Sequence, residues 1–403
     1  MDRRKTDAAA QERKARTRSG GFNPIAYIYP MQLPTNNRYL ALDVLRGMTV
    51  CFMIIVNTPG SGATPFSPLE HAAWHGFTPT DLVYPTFLFV VGNAMAFTMG
   101  KLEALPAGAA VGRILKRTAL IFLLGYLMYW FPFFRQTAQG GWELSPISQT
   151  RIMGVLQRIA VCYGLAALML RFLSTRMVWV LSALFLVGYW IILAWGGDYS
   201  MTGNIGSRFD EWVMGADHLY HGEGIPFEPE GLISNFTSTV NVIVGYYAGR
   251  YIRSKGNGYE TVAMLMLTGA GLLAAAYFWN NLFPINKKLW TSSFVLYTCG
   301  LSMMILAALI YILEIAGKRG WSGFFEVFGK NPLAIYLLSE ILAISLWAIK
   351  APGGRSLYER INDAVFQRLL PGATGSLLFA LTVMGICWLA GWVMDRRRIY
   401  VRV

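Results

Sequence analysis

Ten stretches of about twenty mainly apolar residues, the length a helix needs to cross a bilayer core, constrain this chain more than any other feature. They run over 39–57, 79–99, 113–131, 153–170, 177–195, 233–252, 261–280, 291–315, 325–349 and 376–394. The chain is 55% hydrophobic and only 14% charged, against about 25% charged in a soluble domain, so a water-facing surface of ordinary make-up is excluded. The pattern predicts an all-α, polytopic transmembrane helical bundle with about ten spans over residues 39–403. Residues 1–38 are polar and basic, lack the apolar run of a signal peptide, and read as a largely disordered tail.

The formal net charge of +13 at first suggests nucleic acid, but its distribution argues for a membrane. An even number of helices places 1–38, 100–112, 171–176, 253–260, 316–324 and 395–403 on one side. With the adjoining helix ends (Arg113, Lys116, Arg117, Arg250, Lys330), these hold 24 of the 35 Lys and Arg. The opposite loops hold nine: Arg135, Arg151, Arg208, Lys287, Lys288, Lys350, Arg355, Arg360 and Arg368. Cytoplasmic loops carry the basic excess, so both termini are expected inside and no nucleic-acid partner is expected.

Cys51, Cys162, Cys299 and Cys387 all lie in apolar runs without a CxxC pair, as small core residues do. No metal is expected. Phosphate-binding loops, dinucleotide fingerprints, the G-x-S-x-G elbow and HExxH are all missing from the sequence. The longest outer loop, 196–232, is rich in acids and holds His218 and His221. No internal repeat is evident. The span 233–252, with Asn235, Thr237, Ser238, Thr239 and Asn241, is too polar for lipid and belongs in the bundle interior.

Polar groups inside a membrane are expensive and mark function by default. They concentrate in residues 38–93. Asp43 and Arg46 share a helix face at i,i+3, either as a structural ion pair or with Arg46 facing an anionic ligand from the cytoplasmic side. Asn57 ends the same span, followed by Pro59, Gly60 and Gly62, then by Glu70, His71, Trp74 and His75, with Asp81 opening the next span. A histidine acts as acid or base near neutral pH, a carboxylate orients it, an Asn amide polarises a carbonyl, and Trp stacks on a sugar. An interfacial loop with an aromatic belt residue is the plainer reading of the same composition. Farther along, Gln157 and Arg158, Asn280 and Asn281, Asn331 and Glu340 stand inside or beside apolar runs. Arg158 needs an anionic partner there, with Glu340 and Asp81 as candidates.

The segments RYLALDVLRGMTV, VNTPG, LEHAAWHGFTPTDLVYPTFLFVVG, GVLQRIAVCY, FPINKKLWTSSFV and FGKNPLAIYLLSE together resemble the heparan-α-glucosaminide N-acetyltransferase family, in order, over about 38–394. The resemblance implies an acyltransferase of the EC 2.3.1 type in a bacterial inner membrane, moving an acetyl group from cytosolic acetyl-CoA to the amine of a glucosamine-type sugar on the periplasmic side. It places the active-site histidine on His71 and the asparagine on Asn57. Asp81 joins them as the group that orients the imidazole. Arg46 and Arg158 are the expected acetyl-CoA phosphate or network residues, and Glu70, Trp74, His75, Asn331 and Glu340 the expected sugar contacts. Against the lysosomal protein, the expectation is that this chain lacks the large lumenal N-terminal domain, a departure that bears on the acceptor. An amino-sugar transporter on the same scaffold is the alternative. A homodimer is the expected assembly, with Gly269 and Gly271 as close-packing positions.

Overall fold

The computed structural model describes residues 39–60, 65–136, 141–350 and 354–401; the tail 1–38 and Gly62 lie outside them. Long helices fill each expected span: α1 Leu40–Asn57, α2 Pro79–Glu103, α3 Ala107–Trp130, α4 Val155–Phe172, α5 Thr175–Trp195, then a short α6 Ile205–Met214, followed by α7 Ser234–Lys255, α8 Tyr259–Trp279 and α9 Ser292–Leu309. A π-helical turn over Ile310–Ile315 extends α9. The chain closes with α10 Ser322–Lys330, α11 Pro332–Ala348, α12 Leu357–Ile361, α13 Gln367–Leu369 and α14 Ala373–Arg396.

Among the described residues, seven helices are long and apolar enough to cross a membrane, or eight if α10 and α11 make one span, which makes this a multi-pass membrane protein. The expected count of ten rests on α3 and α7, which are long but do not meet that apolar test. α3 carries Arg113, Lys116 and Arg117, and α7 is rich in Ser, Thr and Asn. The expected continuous span 325–349 is instead broken: α10 and α11 meet at 84°, because Asn331 leaves helical geometry at φ −133°, ψ 52° and Pro332 has no N–H with which to continue α10. A two-stranded antiparallel hairpin, β1 Phe134–Gln136 with β2 Trp142–Leu144, interrupts the α3–α4 loop and was not expected; Arg135 pairs with Glu143 across it at 2.6 Å.

α7 runs through the interior, as its polarity requires. Its hydroxyls bond back along the helix, Ser238 to the Ser234 carbonyl and Thr239 to the Asn235 carbonyl, both at 2.7 Å. Asn241 accepts from the Trp290 indole at 3.1 Å and donates to Thr298 at 3.2 Å. α2 and α7 touch backbone to backbone. A Cβ on Gly92 would stand 1.9 Å from the Val242 carbonyl oxygen, and one on Gly245 1.9 Å from that of Phe89; small residues at such crossings let membrane helices approach. Gly269 meets Gly300 of α9 within the chain, whereas Gly271 has nothing within 4 Å. Of the two glycines expected at a dimer contact, Gly269 is therefore already used internally and Gly271 is open. All four cysteines are buried and free.

Candidate active site

Asp81 organises the site. It is fully buried and sits in the first turn of α2, where a carboxylate complements the helix dipole. One oxygen accepts the N–H of Thr78 at 3.0 Å, closing the capping box at the helix start, and that of Ala72 at 3.1 Å. The other oxygen takes His71 Nδ1 at 2.7 Å. Thr78 donates its hydroxyl to the Glu70 carbonyl at 2.7 Å, and Thr80 to that of Pro68 at 3.0 Å, which folds the 66–72 loop over the helix start. The sequence TPTD thus starts a helix and aims a histidine with one carboxylate. Because an ionised carboxylate only accepts, Nδ1 carries the proton and Nε2 keeps its lone pair.

A second loop, 280–291, meets the first. Lys287 Nζ lies 3.0 and 3.2 Å from the two His71 ring nitrogens and 3.6 Å from the Asp81 carboxylate. Lys288 donates to the Ala73 carbonyl at 3.1 Å and to Glu223 at 2.7 Å, and the Gly76 N–H to the Ile285 carbonyl at 2.8 Å. Partial burial, with the Lys287 and Lys288 charges, lowers the His71 pKa against the pull of Asp81, although 42% of the side chain faces open space. That space is a recess in the protein, so His71 is wet but poorly solvated as a cation. Trp290, which ends the loop, is buried and adopts a left-handed φ of 53°, a conformation that costs a bulky residue about 1–3 kcal/mol. It is held by Asn241, by Thr237 on its carbonyl at 3.0 Å, and by the Arg158 guanidinium 4.6 Å over its ring.

His71 and Asp81 open onto a cavity of about 390 Å³ that also takes in Asn57, Glu340, Lys287, Glu230 and Arg151, with Tyr84, Tyr129, Trp290 and Tyr336 as aromatic walls. Asn57, at the end of α1, donates to Glu340 of α11 at 3.3 Å. The bend at Asn331 sends α11 into this space. Four of the expected site residues, Asn57, His71, Asp81 and Glu340, therefore converge from three helices and a loop.

The others go elsewhere. Trp74 and His75 flank a separate shallow depression with Asp198 and Tyr199; the Trp74 indole donates to the Tyr199 carbonyl at 2.8 Å, and His75 contacts Asn286 at 3.3 Å. Glu70 contributes its carbonyl, as above. Asn331 binds the chain end, donating to Ile399 at 2.9 Å and accepting from Val401 at 2.9 Å. Arg46 contacts Asp43 at 3.4 Å and the Gly329 carbonyl at 3.3 Å, the arrangement of a structural ion pair. Arg158 is fully buried and bonds the Pro229 carbonyl at 2.9 Å and the Ser234 hydroxyl. Its expected partners Glu340 and Asp81 are engaged by Asn57 and His71 instead. Neither arginine lines the cavity.

The cavity residues that the sequence reading did not assign to the site include Arg151, Glu230, Lys287 and Trp290. Arg151 lies between the Tyr129 and Tyr220 rings, at 4.9 and 4.7 Å, grips Glu228 at 2.5 and 2.9 Å and reaches Glu230 at 2.6 Å. Burial and the second carboxylate push Glu228 upward despite the guanidinium. Burial acts on Glu230 too, but Arg151, Arg158 and Lys287 outweigh it and hold it below the usual carboxylate range. One arginine thus faces two buried carboxylates, of which Glu230 stands on the cavity wall.

Comparison with known proteins shows what the chain is similar to. The family described as "Heparan-alpha-glucosaminide N-acetyltransferase, catalytic" matches residues 38–203. The human heparan-alpha-glucosaminide N-acetyltransferase is 26% identical over 75% of this chain and 53% of its own length, and the mouse protein 25% identical over 76% and 54%. The chain is similar to heparan-alpha-glucosaminide N-acetyltransferases over the matched residues. It spans about half the length of these curated relatives. The family match contains Asn57, His71, Asp81 and Arg151 and stops before Glu230, Lys287 and Glu340, so the cavity joins residues from inside and outside the matched segment.

Proposed function

We propose that this chain is a membrane acetyltransferase that moves an acetyl group from acetyl-CoA to the amine of a glucosamine-type sugar. The observation that carries the reading is His71, bound to Asp81 through Nδ1 at 2.7 Å, lining a polar and aromatic cavity with Lys287 Nζ 3.2 Å from Nε2. The names of the relatives supply the reaction class. An amine attacking a thioester carbonyl forms a C–N bond and loses a proton; the C–S bond breaks and the thiolate leaves. Neutral His71 takes that proton at Nε2. The developing oxyanion calls for a donor, and Asn57 Nδ2 and the Lys287 ammonium both face the same space. Aromatic walls and the Glu230 and Glu340 carboxylates suit a sugar bearing an amine.

The cavity collects the ends of α1 and α3 and the starts of α2 and α4, one end of an alternating bundle, while the basic excess lies on the opposite loops. On the positive-inside rule the cavity faces the periplasm of a bacterial inner membrane, and both termini lie in the cytoplasm with the acetyl-CoA pool. The test uses purified protein in nanodiscs with labelled acetyl-CoA and glucosamine. Transfer is expected in the native chain and lost in His71→Ala, with acetyl-CoA binding by calorimetry retained. Full transfer by His71→Ala removes the mechanism. Absence of both binding and transfer, with glucosamine uptake into proteoliposomes, replaces the enzyme with a transporter.

A further inference from the structure

The helix α6 exposes its broad apolar residues. Its inner side carries Asp210, 3% exposed, whose carboxylate accepts the Leu232 N–H at 2.8 Å, beside the buried Met214. Its outer side carries Phe209, Trp212 and Val213, 37%, 80% and 48% exposed. With Ile205 these form an apolar stripe of roughly 100°. We infer that α6 lies in the membrane interface, its Phe209–Trp212–Val213 face sunk into the headgroup–acyl boundary of the leaflet beside the cavity. An exposed aromatic stripe of this kind needs an apolar cover, and continuity identifies it. Ile205 packs directly on Gly196, where an added Cβ would stand 2.6 Å from its own Cβ, so the stripe begins where the span α5 ends. The outward face of α5, through Val180 and Leu184 to Trp195 at 88% exposure, is apolar along its length. At the corresponding end of α8, Tyr277 and Phe278 are 70% and 71% exposed. Exposed aromatics at one level are the mark of an interface belt, and Trp212 extends that belt onto α6. Through Asp210 and Leu232 the helix ties the loop bearing Glu230 to the membrane surface. This inference stands whether or not the cavity transfers acetyl groups.

The test places spin labels at Trp212→Cys, Val213→Cys and Glu211→Cys, one at a time, in the full chain reconstituted in phosphatidylcholine–phosphatidylglycerol nanodiscs. The four native cysteines are buried, and the unsubstituted chain serves as the labelling blank. Power saturation then compares oxygen with a water-soluble nickel chelate. Labels at 212 and 213 are expected to meet oxygen several-fold more than nickel, with the order reversed at 211. Nickel reaching 212 and 213 as freely as 211 overturns the inference. So does exclusion of both reagents with dipolar broadening that disappears on dilution with unlabelled chain, which assigns the face to a second copy.

Discussion

Replacing Asp81 by Asn keeps the shape of the side chain and removes only its charge and one acceptor. Donors converge on both carboxylate oxygens: His71 Nδ1 on one, with Lys287 Nζ 3.6 Å away, and the N–H groups of Ala72 and Thr78 with the Thr78 hydroxyl on the other. An amide oxygen can face only one side. If it turned to His71, two buried N–H groups would point at an NH2, at about 1–3 kcal/mol each. Turning the oxygen to the backbone and the NH2 to His71 avoids that cost and requires that the imidazole proton move to Nε2 and that Lys287 Nζ, 3.6 Å from the same position, draw back from the NH2. The second orientation wins, and the lone pair then faces Asp81→Asn rather than the cavity. Loss of a positioned base costs about 10²–10⁴-fold in rate. Stability falls less, by about 1–3 kcal/mol, as charge-assisted bonds become neutral ones. The assay pairs initial rates of labelled acetyl transfer with a thermal melt in the same detergent. A folded Asp81→Asn protein working within about threefold of the native rate refutes the tautomer argument.

Two further substitutions probe the neighbouring parts. Lys287→Met removes a charge that lowers the His71 pKa; since the neutral imidazole is the working form, the acidic limb of the kcat/KM profile moves to higher pH, Lys287→Arg holds it near its native position, and an unmoved limb in Lys287→Met breaks the coupling. Gly245→Val drives a methyl-bearing Cβ into the Phe89 carbonyl and is expected to cost about 3 kcal/mol or more in detergent melts, whereas Gly271→Val, with nothing within 4 Å, leaves the melt unchanged; equal melts for the two refute the α2–α7 contact.

Much of this architecture is legible in the sequence because the membrane simplifies the physics. Apolar runs of the right length become helices, and a polar one, α7, goes inside. The bend at Asn331 was hidden because Asn-Pro reads equally as a helix start within a longer apolar run. α6 escaped because its apolar stripe covers only ten residues of an acidic loop. At the site, Asn57, His71 and Asp81 are near in sequence and their convergence follows from one loop. Arg151, Glu230 and Lys287 arrive from distant loops, and no local pattern pairs them. Their signal lay in the charge count. Arg151 and Lys287 are among the few basic residues on the side that should have none to spare, and each such exception calls for an anionic partner, here Glu228 and Glu230 for one and Asp81 for the other. Arg158 was expected to seek a carboxylate, but a carbonyl, a hydroxyl and an indole face hold it instead.

The polarity of α7 also bears on how the protein is made. Asn241 bonds Trp290, Thr298 and Cys299, partners that follow it by 49, 57 and 58 residues. When α7 leaves the ribosome these groups have not been synthesised, and an amide in hydrocarbon has no other recourse. Its neighbours α2 and α4 are already available, and the backbone contact at Gly92 and Gly245 gives it a berth against protein rather than lipid. Insertion of this helix is therefore a matter of waiting at the translocon beside earlier spans until α9 emerges, and the order in which the ribosome delivers the helices becomes part of the fold.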